Sequence, residues 1–313
     1  MKTKVILAGG TGTMGCILQN HFIGQGYDVV VLTRRAEVHQ NPKARMVRWD
    51  GRTTGAWSAE LEKADVLINL AGRSVDCRYT QRNKDLILNS RVDATRVLGE
   101  AIARCAKAPA LWINLSSATV YRHAEDRPMD EGTGELGSDF SPRVVLAWEK
   151  EFFRHEREGV RQVAVRCAMV FSNGGGAFPR FADLVRVGLG GHHGSGNQYV
   201  SWVHEADVSG FFQWLMDTPQ VDGIINLAAP NPLPEGDLMR ALRDRLKPII
   251  AFNIPEWMLG IGAFFLRTET ELVLKSRRVV PTRALQLGYS FKHSHITSAL
   301  DALFALRAQH PRT

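Results

Sequence analysis

Seven residues near the start of the chain carry the clearest chemistry: Gly9-Gly10-Thr11-Gly12-Thr13-Met14-Gly15. They follow the apolar run Val5-Ile6-Leu7-Ala8 and open a helical pattern over Met14–Gly24. The glycines read either as Gly10-x-Gly12-x-x-Gly15 or as Gly9-x-x-Gly12-x-x-Gly15. Both spacings suit a pyrophosphate. The first glycines admit a tight turn at positive φ, and the missing side chains let backbone N–H groups reach phosphate oxygens. Gly15 lets the helix pack close to the strand. The helix N-terminus then turns its unpaired N–H groups and positive dipole end toward the anion. A glycine triplet alone is weak; the strand before it and the helix after it make it a dinucleotide signal.

A second set of residues speaks to which dinucleotide. Gly26-Tyr27-Asp28 is a turn, and Val29–Leu32 is a continuous apolar run of the kind a doubly covered strand shows. At the end of such a strand an NAD site places Asp or Glu on the ribose hydroxyl, about 20 residues past the glycines. Here stand Thr33, Arg34 and Arg35. No carboxylate repels a 2′-phosphate, and two guanidiniums can grip it bidentately. The reading is NADP. Solvated loop charge suits Arg45 and Arg52 better.

The elements that must position these groups alternate regularly. Strand patterns follow at Ala44–Trp49, Asp65–Leu70, Leu111–Leu115 and Gln162–Cys167, with helical patterns at Thr80–Ala106 and Arg143–Glu158. Such alternation predicts an α/β fold: a Rossmann-type doubly wound parallel sheet with right-handed crossovers, its ligands at the carboxyl ends of the strands. After residue 170 the pattern breaks into the glycine-rich stretches Asn173–Gly176 and Gly188–Gly196, long loops of the kind that line sites. A strand at Tyr199–Val203, a helix at Glu205–Met216 and a strand at Gly223–Leu227 return to the sheet. The chain from Pro230 mixes prolines with amphipathic helices. Residues 1–170 are therefore expected to bind the cofactor, with a returning segment near 199–229. Residues 171–313 form mainly a smaller, C-terminal substrate-side lobe.

Composition narrows the classes. The 313 residues are 44% hydrophobic, ample for a large core. No stretch is long and apolar enough for a membrane helix, and the first apolar residues run into a strand–helix pattern rather than a signal peptide. Cys16, Cys77, Cys105 and Cys167 are scattered without metal spacing, which predicts reduced thiols in a cytoplasmic protein. The net charge of +7 is dispersed, with no aromatic-interleaved basic stripe, so nucleic acid is not expected. The partner is a small-molecule substrate, with no membrane and no metal, in a monomer or homodimer.

Beyond the fifth strand, Ser116-Ser117-Ala118-Thr119-Val120-Tyr121 resembles the Ser-Ser-x-x-Val-Tyr signature of extended short-chain dehydrogenase/reductases. Asn69-Leu70-Ala71-Gly72, Arg78-Tyr79-Thr80, Lys84 and Ser90-Arg91 match one subgroup. So do Gly190-Gly191, Gly194-Ser195-Gly196-x-Gln198, Ser201-Trp202-Val203-His204, Asn226-Leu227-x-x-Pro230-x-Pro232, Val279-Val280-Pro281 and Gly288-Tyr289-x-Phe291. That subgroup is the YfcH-like epimerase family of atypical extended members, which carry a C-terminal domain of unknown function, here near 250–313. The resemblance covers nearly the whole chain. It implies that Gly9 to Gly15 hold the pyrophosphate and Arg34 and Arg35 the 2′-phosphate. It implies Asp50 on the adenine amino group, and Leu70, Ala71 and Gly72 along the adenosine side. It further implies Arg91 and Ser116 at the cofactor, with Met169 and Val170 flanking the nicotinamide.

The same resemblance exposes a gap. Short-chain dehydrogenases use a Ser to hold the substrate oxygen, a Tyr as general acid/base and a Lys four residues later, whose charge lowers the Tyr pKa. Ser117 occupies the Ser position. By spacing, Val144 stands in the Tyr place and Trp148 in the Lys place, and neither moves a proton. Lys150 is two residues off, about 200° around the helix. Tyr121, near Ser117, is the remaining candidate acid. Arg78, Tyr79, Lys84, Gln198, Trp202 and His204 are the expected substrate contacts, and His192-His193 a flexible lid. The implied function is an NADP-dependent oxidoreductase or epimerase acting on a small carbonyl, hydroxyl or nucleotide-sugar-like compound. A non-catalytic NADP-binding protein is the competing one.

Overall fold

A computed structural model of the chain describes residues 2–35, 41–256, 258 and 275–309. The expected C-terminal domain near 250–313 therefore lies partly outside the described residues. The first half reads β1 (Lys4–Ala8), α1 (Thr13–Gly24), β2 (Asp28–Thr33), β3 (Arg45–Arg48), β4 (Val66–Asn69), α2 (Gln81–Arg104), β5 (Leu111–Ser117), α3 (Phe140–Phe153) and β6 (Arg161–Cys167). The second half follows as β7 (Met169–Ser172), β8 (Gly175–Gly176), α4 (Ala177–Arg186), β9 (Tyr199–Val200), β10 (Trp202–His204), α5 (Glu205–Asp217), β11 (Gly223–Leu227), β12 (Leu233–Pro234) and α6 (Glu235–Leu246). Two helices after residue 275 are α7 (Thr282–Gln286) and α8 (Ile296–Gln309).

Seven strands form one sheet in the order β11-β6-β5-β4-β1-β2-β3, every neighbouring pair parallel. Because side chains alternate along a strand, β1 feeds two cores at once. Val5 and Leu7 join Leu18 and Phe22 of α1 and Phe211 and Phe212 of α5 on one face. Ile6 and Ala8 join Val97 and Leu98 of α2 and Phe152 of α3 on the other. This two-sided burial is why the sheet strands read as unbroken apolar runs.

Three local expectations shift. The α3 helix begins and ends earlier than its apolar pattern suggested, at Phe140 and Phe153. Pro142 sits in its first turn, where a proline costs no internal hydrogen bond. The expected strand Tyr199–Val203 divides at Ser201: β9 pairs antiparallel with β12, while β10 runs parallel to β7. The glycine stretch at 173–176 is the bend of a β7–β8 hairpin, with Gly175 and Gly176 at φ 149° and 80°. A further core, built from Phe171, Phe178, Trp202, Leu238, Leu242, Leu300 and Leu303, holds α4, α6 and α8 against this hairpin.

Candidate functional site

The glycine loop sits at the carboxyl end of β1, in the middle of the sheet. Gly9 has φ 78°, and a Cβ there would come within 2.8 Å of Ala71 Cα. A Cβ on Gly15 would reach 1.9 Å from the Gly10 carbonyl oxygen, so α1 can lie against the loop only with glycine at this position. That carbonyl also accepts from Gln19 Nε2 at 2.7 Å, which braces the turn. Gly12, the N-cap of α1, faces open space and no side chain caps the helix. The first N–H groups of α1 are thus turned to a cradle shaped for an anion. The β7–β8 hairpin leans on its rim, since a Cβ on Gly175 would meet Thr13 Oγ1 at 2.7 Å.

Arg34 and Arg35 are exposed at the end of β2. Arg34, Arg48, Trp49, Asp50 and Trp57 border a shallow pocket of about 350 Å³. Asp50 is desolvated slightly, but hydrogen bonds from Thr53 and Arg52 outweigh this and hold its carboxyl below the ordinary value. Its oxygens thus serve the Asp50–Thr53 turn. Leu70 packs against the sheet core, and the Ala71 amide donates to Asn69 Oδ1 at 3.1 Å, fixing the loop that leads to the exposed Gly72.

On the other side of the loop lies a cleft of about 220 Å³. Its lining includes Ser117, Thr119, Ser141, Met169, Phe181 and Arg277. Ser117 Oγ lies 3.0 Å from Thr119 Oγ1 and faces this space. Cys167 also borders it, but burial pushes the thiol up to about 12, so it is no nucleophile at neutral pH. Val170 follows Met169 on β7 and is partly buried against the sheet core.

Behind Ser117 stands a network that sequence reasoning missed. The Ser116 hydroxyl donates to Glu149 Oε1 at 2.6 Å. Arg166 clamps the same carboxylate through Nε at 2.9 Å and Nη2 at 2.7 Å. Its Nη1 donates to the Tyr121 hydroxyl at 3.2 Å, which in turn donates to Asn226 Oδ1 at 3.0 Å. The available signal was an arginine inside the apolar run of β6.

This network corrects two expectations. Tyr121 is 1% exposed, with its hydroxyl committed to Arg166 and Asn226, so it is turned into the core and is not the cleft's acid. Burial also raises its pKa, against the pull of Arg166. Ser116 directs its hydroxyl to Glu149, leaving only its backbone toward a cofactor.

The substrate-side expectations divide. Gln198 is buried and donates to the His193 carbonyl at 2.8 Å. Trp202 is fully buried in the lobe core. His204 caps α5, accepting from the Ala206 amide at 3.0 Å, and stacks 4.1 Å from His293. Desolvation, then the neighbouring His293 and Lys292, lowers its pKa to about 3. None of these three reaches the cleft, because each completes packing or hydrogen bonding inside the fold. Arg78, Tyr79 and Lys84 gather nearby instead. Tyr79 packs edge-on against Phe140 at 4.9 Å, and Lys84 Nζ stands 5.5 Å over the same ring. They flank the cleft through Phe140, the neighbour of Ser141, rather than lining it. The His192-His193 loop is stitched in place, not a free lid. Gly191, Gly194 and Ile254 exchange backbone hydrogen bonds with Phe252, Ile254 and His192, and His193 pairs with Glu235 at 2.8 Å.

In α3, Val144 and Trp148 are both buried. The Trp148 indole N–H donates to Thr95 Oγ1 at 2.8 Å, and the Arg91 guanidinium lies 5.3 Å over its ring. Arg91 Nη1 donates to the carbonyls of Ile87 and Arg73 at 2.9 and 3.1 Å. Among the described residues no helix is long and apolar enough to cross a membrane.

Residues 5–228 match the NAD dependent epimerase/dehydratase family, and residues 254–303 match a domain of unknown function, DUF1731. The epimerase family protein YfhF of Bacillus subtilis (strain 168) is 30% identical over 308 residues, spanning 97% of this chain and 99% of its own. The epimerase family protein SDR39U1 of Bos taurus is 29% identical over 306 residues, 96% of this chain and 100% of its own. The crystal structure of human epimerase family protein SDR39U1 (isoform2) with NADPH superposes with a TM-score of 0.84 at 27% identity, over 96% of this chain and 98% of that one. A nucleoside-diphosphate sugar epimerase from Corynebacterium glutamicum gives a TM-score of 0.77 at 26% identity, over 99% of this chain and 61% of that one. With fold, phosphate loop and the C-terminal segment in agreement, the chain belongs to the NAD dependent epimerase/dehydratase family, among its atypical extended short-chain dehydrogenase/reductase members.

Proposed function

We propose that the chain binds NADP(H) and acts as an oxidoreductase or epimerase-type enzyme on a small carbonyl or hydroxyl compound. The observation that carries this is the open cradle at Gly12, flanked by Arg34 and Arg35 on one side and the Ser117 cleft on the other. The cradle fits a pyrophosphate, since backbone N–H groups and free space meet there with no acidic side chain in the first turn of α1. Arg34 and Arg35 would hold the 2′-phosphate, and the human relative with NADPH supports that choice. Gly72 and Met169 would border the rest of the dinucleotide. The bound cofactor would supply or accept a hydride.

Ser117 would hold the reacting oxygen by hydrogen bonding. The cleft of about 220 Å³ is below the 300–1,000 Å³ of drug-sized sites, which favours a compact substrate over a whole nucleotide sugar. Four free thiols support a reducing, cytoplasmic setting.

Val144 and Trp148 favour a second reading, an NADP-binding protein without turnover. Steady-state hydride transfer over a panel of small carbonyl compounds separates the two. Turnover that Ser117→Ala abolishes while NADPH affinity stays unchanged supports the enzyme. Tight NADPH binding with no turnover of any compound supports the second reading.

A further inference from the structure

We propose that Arg91 supplies, from α2, the fixed positive charge that α3 lacks, and that its guanidinium grips the nicotinamide-side half of the cofactor. This rests on the NADP reading above.

The side of the sheet follows from strand order. The pyrophosphate cradle follows β1, and Arg34 and Arg35 follow β2, so the adenosine half lies toward β2 and β3. The other half must then run over β4 and β5. Arg91 is on that side. Gly72 comes just after β4, and a Cβ placed on it would come within 3.1 Å of Arg91 Cζ. The glycine thus leaves the guanidinium bordering the loop along which the cofactor would pass.

The charge is unbalanced. No carboxylate pairs with Arg91 among the described residues, and only Nη1 donates, to two carbonyls. Nε and Nη2 make no hydrogen bond among the described residues. Desolvation lowers the pKa to about 10, which still leaves the group charged at neutral pH. A desolvated cation without a counter-charge is costly, and phosphate and ribose oxygens would supply what it lacks.

The guanidinium is also held in place. It stacks on Trp148, whose indole N–H is fixed by Thr95, and the Thr95 hydroxyl donates back to the Arg91 carbonyl at 2.8 Å. Trp148 is therefore a platform for a cation that arrives from another helix. Arginine at this position orients and binds; it does not donate protons.

The test compares two ligands on the full chain by calorimetric titration: NADPH, which has both halves, and 2′,5′-ADP, which has only the adenosine half. Arg91→Met is expected to weaken NADPH by about 10- to 100-fold and to leave 2′,5′-ADP within about twofold. Arg91→Lys, which keeps the charge and loses the fork, is expected to recover part of the loss. If Arg91→Met lowers the melting temperature, Arg91→Gln serves for the same comparison. An NADPH affinity within twofold of the unsubstituted chain overturns the proposal. So does a parallel loss of 2′,5′-ADP. An unsubstituted chain that binds 2′,5′-ADP but is indifferent to Arg91 refutes this inference alone, whereas one that binds neither ligand refutes the NADP reading with it.

Discussion

Arg166 and Glu149 meet in a buried, two-point ion pair directly behind the Ser-Ser segment, with Nε–Oε1 at 2.9 Å and Nη2–Oε2 at 2.7 Å. Both residues are at most 5% exposed. A buried pair of this kind contributes little net stability relative to an apolar isostere, yet removing one partner strands the other charge. Glu149→Leu and Arg166→Met are each expected to destabilise the fold by about 3–5 kcal/mol in urea unfolding. The double variant is expected to lose much less than the sum. Additive losses would mean that the two groups do not act as a pair.

Two glycines of the phosphate loop should fail in different ways. Gly12 has no neighbour within 4 Å, so Gly12→Ala is expected to keep its thermal stability and lose NADPH affinity by at least about tenfold, because the new methyl stands in the anion's space. Gly15→Ala must displace the Gly10 carbonyl, 1.9 Å away, so its melting temperature is expected to fall, with binding lost as a consequence. Thermal unfolding and NADPH fluorescence titration on both variants check the contrast. Equal melting losses would refute it.

Cofactor choice should reside in Arg34 and Arg35. Each charge-assisted hydrogen bond to a phosphate is worth about 1.5–3 kcal/mol, so Arg34→Ala/Arg35→Ala is expected to weaken NADPH by well over tenfold. NADH, which lacks the 2′-phosphate, should bind as before. An unchanged NADPH-to-NADH ratio would show that the arginines do not read the phosphate.

Acid should destabilise the fold through His204. Below pH 6.5 the unfolded chain binds a proton at this imidazole that the folded chain refuses until about pH 3. The contribution is therefore complete above pH 6.5 and is lost as pH falls toward 3. His204→Asn keeps a capping acceptor for α5 and removes the titration. Its urea midpoint is expected to fall less than that of the unsubstituted chain between about pH 7.5 and about pH 5. Parallel slopes would exclude His204 as the source.

Much of this protein is written locally. The apolar runs of β1, β2 and β6, the Gly9–Gly15 spacing and the arginines after β2 are each legible from neighbouring residues. Backbone sterics and two-sided burial act over a few positions, so sequence alone determined the parallel sheet and the phosphate cradle. Tyr121 and His204 mark the limit. Sequence identifies a titratable side chain, but whether it faces a cleft or a core depends on elements far along the chain. Asn226, 105 residues away, receives the Tyr121 hydroxyl, and His293 stacks on His204. The cleft itself joins Ser117, Ser141, Phe181 and Arg277, and Arg91 reaches Trp148 from a different helix. Such juxtapositions follow from how layers pack and which polar groups must be satisfied once buried, and only the tertiary structure decided them.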